Sequence, residues 1–198
     1  MASALTHAFA AVALTRILSC RKRDWRFWTL AVTSAILPDA DVAGFALGIE
    51  YGDLLGHRGF SHSLLFAALW SMLAVSGTYS RLMKSSRQWW LLVGLVFLVT
   101  LSHGLLDAMT NGGLGVAFFS PFDTTRYFLP WRPIRVSPVG VGRFFSAQGV
   151  AILASEIEYV WLPLVTLWLG VGALRRCFAG KAGAENDFPN SHDGQPKR

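Results

Sequence analysis

The sequence predicts an all-α fold, a polytopic membrane helix bundle of about four to five spans, on three observations. Of 198 residues, 53% are hydrophobic and only 15% charged, with mean hydropathy +0.40. Soluble domains carry roughly a quarter charged residues, so this balance points to a bilayer as the main solvent. The apolar residues collect in runs bounded by proline, glycine or charge. Finally, the 18 Lys and Arg outnumber the 12 Asp and Glu, and the excess sits in short clusters, "RKRDWR" (21–26), "RLMKSSR" (81–87) and "RR" (175–176). Each lies between or after apolar runs, as cytoplasmic loops of an inner-membrane protein do, which disfavours a nucleic-acid-binding face.

Residues 2–19 form the first expected helix. Its charges follow the apolar stretch, so it reads as a retained helix with its N-terminus outside and not as a cleaved signal. Thr6, His7, Thr15 and Arg16 make it too polar to face lipid all round, and Ala4, Ala8 and Ala11 permit close packing around an inward His7. The second run, 27–37, stops at Pro38 and resumes over 42–49, and neither half is long enough to span. "PDAD" therefore marks a helix end or the break of a discontinuous helix lining a polar cavity. Runs at 64–79 and 89–109 are the clearest spans, and a fifth covers 159–174.

Placing the basic clusters in the cytoplasm puts 38–60 and 110–156 outside and the C-terminus inside. Residues 1–178 form one membrane-embedded domain, and 179–198 read as a disordered polar tail. The outer 110–156 stretch carries Arg126, Arg132, Arg135 and Arg143 against the positive-inside bias, which requires an explanation. Cys20 and Cys177 have no metal-ligand spacing and read as reduced, structural thiols.

The same topology gathers His7, His57, His62, His103, Asp39, Asp41 and Asp107 at the outer side, leaving His192 in the tail. In "HGLLD", His103 and Asp107 stand at i and i+4, close enough to share one ion, although a hydrogen-bonded pair is an equal alternative. In "PDAD" a helix N-cap at Asp39 or Asp41 is the plainer reading. In "HRGFSHS" (57–63), Ser61 is a plausible N-cap for the next helix. A cap leaves the cost of placing imidazoles and Arg58 beside a bilayer unexplained, whereas a divalent cation would partner several such groups at once. Imidazole with carboxylate and no thiolate suits zinc, or manganese and iron as carboxylate content rises.

The series "TH", "LPDAD", "GHRGFSHS", "HGLLD", "TNGG" and "SPF", over residues 1 to about 123, resembles the YdjM family of bacterial inner-membrane proteins, described as membrane-bound metal-dependent hydrolases. The resemblance implies a distant similarity to zinc-dependent phospholipase C, an all-α fold whose ions are held by His and Asp from several helices. Carried over, it implies His7, Asp39, His57, His62, His103 and Asp107 as ligands of one or two ions, most readily zinc. Further HxxxD or HxxxE repeats are missing unless Glu156 or Glu158 substitutes.

On that basis the expected activity is hydrolysis of a phosphate ester or phospholipid-like substrate by metal-activated water, with the site facing the extracytoplasmic side. Asp41 is then expected as base or second-metal ligand, and Arg58 as a clamp on a substrate anion. Arg126, Arg132 and Arg135 are expected to recruit phosphate, with headgroup snorkelling an equal alternative for each arginine. The alternative class is a non-enzymatic membrane protein that binds or transports a divalent metal or protons. The almost purely apolar inner halves of the spans favour a one-sided catalytic pocket instead.

Overall fold

The computed structural model describes residues 1–19, 23–137 and 146–185, those beyond Phe178 for their backbone alone; the expectations for Cys20, Arg143 and His192 lie outside the described residues. Every apolar run is helical, and no strand forms among the described residues. The order is α1 (Ala4–Leu18), α2 (Trp25–Ile36), a 3-10 run (Leu37–Leu47), a 3-10 turn (Phe60–His62), α3 (Leu64–Thr78), α4 (Arg87–Ala108), α5 (Ala147–Glu156), a π-helical turn (Ile157–Trp161) and α6 (Leu162–Glu185).

Four helices begin at side-chain caps that the sequence supplies one residue ahead of the apolar run. Ser3 accepts from the Thr6 N–H, Asp24 from Phe27, Ser63 from Phe66 and Ser86 from Trp89. The cap of α3 is thus Ser63 and not Ser61. Neither aspartate of "PDAD" is a cap, because Pro38 enters a 3-10 run that continues directly from α2. Proline tolerates that position because the first amides of a helical segment have no intrahelical partner.

Among the described residues, three helical segments are long and apolar enough to cross a membrane: Trp25–Leu47, Arg87–Ala108 and Ala147–Phe178. Helices α1 and α3 have 15 residues each, about 22 Å at 1.5 Å per residue and short of a ~30 Å hydrocarbon core. The last segment starts well before the expected 159, since α5, the π turn and α6 are contiguous. It runs to Glu185, into the stretch expected to be a polar tail.

Helix α1 packs on α2, α4 and α6, and α4 also packs on α2 and α3. Small residues set these approaches. Ala11, Ala31 and Ala35 are fully buried with Phe27, Val75, Val96 and Val99 in the main core. A smaller core joins Ala2, Ala10, Leu106, Ile134 and Val160. On the outside Leu69, Leu73, Trp90, Leu98, Val150 and Leu169 are exposed, an apolar surface that suits lipid and not water.

The bundle has two chemically different ends. Arg16, Arg23, Arg26, Arg81, Lys84 and Arg87 lie at the C-terminus of α1, the start of α2 and the α3–α4 connection. Arg175 of α6 reaches the same end, donating to the Arg16 and Ile17 carbonyls. His7, His57, His62, His103, Asp39, Asp41 and Asp107 occupy the other end.

Glu156, considered above as a metal ligand, is instead the anchor of α1. It is fully buried and accepts from the Ser3 N–H, the Ser3 hydroxyl and the Thr6 hydroxyl. Trp161 Nε1 completes the cluster by donating to Thr6 Oγ1 at 2.8 Å. Glu158, two residues on, is exposed. Glu156→Ala should lower stability in detergent by on the order of 3 kcal/mol, because it strands several buried donors. Glu158→Ala should change it by less than about 0.5 kcal/mol. Thermal unfolding of the two variants side by side checks both.

Candidate metal centre

Four elements bring their polar residues to one point. His7 comes from the second turn of α1, Asp39 and Asp41 from the 3-10 run after α2, His57 to His62 from the segment before α3, and His103 and Asp107 from the last turns of α4. Gly104, inside "HGLLD", lets the 3-10 turn approach, since a Cβ there would lie 3.1 Å from the His62 carbonyl. His7, His57, His62, His103, Asp39 and Asp107 are all buried.

Hydrogen bonding fixes how the imidazoles point. The Ala35 carbonyl can only accept, so His103 Nδ1, 2.7 Å from it, carries the proton, and in the neutral ring Nε2 is a bare lone pair. Ser61 donates its hydroxyl to Asp41 Oδ2 at 2.6 Å, so it accepts from His62 Nδ1 at 3.0 Å. That leaves His62 Nε2 bare as well. The two Nε2 atoms face each other at 3.0 Å. Two lone pairs so placed repel unless a cation lies between them, either a metal ion or a proton that joins the two rings by a hydrogen bond.

Carboxylates complete the cage. Asp39 Oδ1 lies 3.3 Å from His103 Nε2 and 3.8 Å from His62 Nε2, yet neither Asp39 oxygen has an aligned hydrogen-bond donor. Asp107 Oδ2 is 3.7 Å from His62 Nε2. One ligand atom from each of Asp39, His62, His103 and Asp107 falls within 4.8 Å of all the others, about the compass of a sphere with ~2 Å metal–ligand bonds. His7 stands beside them, stacked on His103 at 3.8 Å between ring centroids, with Nε2 3.5 Å from Asp107 Oδ1 and neither ring nitrogen hydrogen-bonded. These residues fit a divalent ion of the zinc, manganese or iron type.

Burial alone would lower the His62 pKa, but the carboxylates of Asp39, Asp41 and Asp107 outweigh it and push it up to about 9. The cluster thus attracts positive charge between the two Nε2 atoms, where a proton on His62 and a metal ion would compete for the same place.

Asp41, expected as a base, has its oxygens engaged by His57 Nδ1 at 2.7 Å, the Arg58 N–H at 3.2 Å and the Ser61 hydroxyl. Its carboxylate orients His57 and, through Ser61, His62. Asp41, His57 and His62 also form a compact group of potential ligands, but it reuses the His62 ring through the nitrogen already bonded to Ser61.

Arg58, expected to face substrate, faces inward. Its side chain is fully buried, with Nε donating to Asp107 Oδ2 at 3.0 Å, Nη2 to Thr110 Oγ1 and Nη1 to the Gly112 carbonyl. Its backbone is left-handed, φ 63°, and Gly113, φ 87°, makes room, since a Cβ there would lie 2.8 Å from Arg58 Nη1. Of the other arginines, Arg126 ties together the Tyr51, Asp53 and His57 carbonyls. Arg132 stacks on Phe128 at 4.6 Å and Arg135 is exposed. The excess of cations on this side is therefore partly architectural.

Comparison with known proteins agrees with the residue series. A model of the family described as YdjM inner membrane protein matches residues 1–178. The chain is 36% identical over 163 residues to inner membrane protein YbcI of Escherichia coli (strain K12), an alignment covering 82% of this chain and 92% of that protein. No solved structure matches.

Replacing Arg58 should unfold the site. Arg58→Met leaves Asp107 buried without its cation and is expected to cost about 3–5 kcal/mol. Arg132→Gln, at the exposed loop, should cost less than about 0.5 kcal/mol. Denaturant or thermal unfolding in detergent distinguishes the inward role from a surface clamp, whose loss would spare the fold.

Proposed function

The protein belongs to the YdjM family of inner membrane proteins, and from that premise we propose that it is a membrane-bound metal-dependent hydrolase acting on a phosphate ester or phospholipid-like substrate. The observation that carries the reading is the convergence of His62 Nε2 and His103 Nε2, 3.0 Å apart, with the unpartnered oxygens of Asp39 and the Asp107 carboxylate in one compact set of ligand atoms. Asp39, His62, His103 and Asp107 would hold one ion, with His7 the nearest further donor. Such an ion, when bound, lowers the pKa of water toward neutrality and polarises a phosphoryl or acyl oxygen. The chain's own part is to hold these donors in a dry, fixed array. Asp41 and Ser61 orient His62, the Ala35 carbonyl orients His103, and Arg58 fixes Asp107 and neutralises part of its charge.

A lipid-like substrate is supported by an apolar groove of about 470 Å³ between α1, α4 and the π turn with the start of α6. Leu98, Leu101 and Leu105 line it along α4, and Leu106 and Met109 bring it to either side of Asp107 in sequence. It is open to the surface that faces lipid, on the flank of an otherwise buried cluster. The basic residues at the opposite end support an extracytoplasmic placement of the site.

Protein purified in neutral detergent is expected to retain about one divalent ion per chain by elemental analysis. His62→Ala and His103→Ala should abolish retention, and Asp41→Asn should weaken it ~10–100-fold as a loss of ligand orientation. Near-zero metal in the unmodified protein would sink the hydrolase reading. Because the cluster is so completely enclosed, metal retained without turnover of phospholipid or phosphate-ester substrates would mark a metal-binding or transporting protein instead.

The groove makes a separate prediction. Leu105→Trp should raise KM for a long-chain phospholipid several-fold, whereas a short water-soluble phosphate ester, which does not use the groove, should be turned over poorly and equally by both proteins, as steady-state kinetics on both substrates would show.

A further inference from the structure

At the basic end, a cavity of about 400 Å³ is lined by Arg26, Thr78, Tyr79, Ser80, Arg81 and Leu82. A second, of about 310 Å³, is lined by Trp25, Arg26, Thr29, Leu30, Thr33 and Thr78. The two share Arg26 and Thr78, so they adjoin as the two parts of a hollow between α2 and the end of α3. Their chemistry differs. The first presents two guanidinium groups and hydroxyls and no carboxylate. The second is apolar in effect, because the hydroxyls of Thr29 and Thr33 donate to the Trp25 and Thr29 carbonyls of their own helix and leave methyl groups facing outward.

Among the described residues neither Arg26 nor Arg81 makes a close ion pair, and the carboxylate that Arg26 feels, at longer range, is Asp24. The nearest acid in sequence, Asp24, directs Oδ1 to the Phe27 N–H and the Tyr79 hydroxyl, at 3.0 and 2.6 Å, and lines neither cavity. Trp25, largely exposed at the mouth, is the amphipathic ring expected at the level of lipid headgroups.

We propose that this hollow is a binding site for one anionic phospholipid, its phosphodiester held by Arg26 and Arg81 and the start of an acyl chain lying along Trp25, Leu30 and Thr33. A free phosphate would use only the first cavity. A zwitterionic lipid would fill both but bring a cation to a pocket already carrying two. The site is separate from the metal centre and independent of the hydrolase reading, and its consequence is to hold the α2–α3 end at a fixed depth in a negatively charged leaflet.

The test is native mass spectrometry of the full chain in neutral detergent, titrated with phosphatidylglycerol and with phosphatidylcholine of identical chains. Phosphatidylglycerol should bind roughly tenfold or more tightly than phosphatidylcholine, and the double variant Arg26→Gln, Arg81→Gln should bring the two together. Lys84→Gln with Arg87→Gln removes the same charge outside both cavities and should keep the preference. Thr33→Trp fills the apolar part with the charge intact and should also weaken phosphatidylglycerol binding, which covers the case where the double arginine variant does not fold. An equal loss in the Lys84, Arg87 variant, no preference in the unmodified protein, or inorganic phosphate competing as well as the lipid would each overturn the proposal.

Discussion

Asp107 has no exposed surface, and its two oxygens are divided between different parts of the chain. Oδ1 accepts from the Ala2 N–H at 2.7 Å, and Oδ2 from Arg58 Nε. A carboxylate so buried is tolerable only when paired and hydrogen-bonded, and that requirement propagates outward. Arg58 has to enter the interior, which its left-handed backbone permits. Its remaining donors need acceptors, which Thr110 and the Gly112 carbonyl supply. The connection after α4 is therefore held over the cluster and continues into bridges between Thr110 and Ile134 and between Val116 and Tyr127. The start of α1 is held by Asp107 Oδ1 and, from the other side, by Glu156. One buried charge thus fixes where α1, α4, the pre-α3 segment and the covering loop meet.

Two aspartates only two residues apart have different tasks because of the helix type between them. In a 3-10 run of three residues per turn, positions i and i+2 point in different directions. Asp39 turns toward His62 and His103 with its oxygens unpartnered, while Asp41 turns toward His57, Ser61 and the Arg58 amide and is fully engaged. One offers open coordination and the other fixes the tautomers that make neighbouring rings useful.

Much of this was legible in the sequence. The apolar runs marked the helices, and the positive-inside argument, which used no histidine or aspartate, still gathered His7, His57, His62, His103, Asp39 and Asp107 at one end. What was not legible depended on local geometry. Ser61 and Ser63 are equally good caps by composition, and only the backbone of the 3-10 turn assigns the cap to Ser63 and frees Ser61 to bond Asp41. Helix α5 was hidden because "AQGVAILASE" mixes glycine and serine with its apolar residues and lies beside a π turn that shifts the helical phase. Arg58 looked like a surface clamp because nothing in "HRGFSHS" signals a left-handed backbone at the arginine. Its glycine partner, Gly113, is distant in sequence. Glu156 was singled out as a carboxylate of consequence, but its partners Ser3 and Thr6 stand at the opposite end of the chain.

Burial strengthens the centre and also restricts access to it. A low local dielectric sharpens the pull of Asp39 and Asp107 on a cation and the repulsion between the two Nε2 lone pairs. The residues that exclude water, among them Gly104 under the 3-10 turn and the loop carried by Arg58, close the route from the aqueous side. The apolar groove lined by Leu105, Leu106 and Met109 runs along the turn of α4 that carries Asp107. A wholly water-soluble substrate would have to displace the covering loop and break the Arg58 bonds that keep Asp107 in place. A molecule already dissolved in the bilayer can instead approach with its apolar part along the groove, on the flank of the turn that carries Asp107. The constraint that stabilises the buried carboxylate is therefore the same one that, on the proposed reading, selects substrates from the membrane.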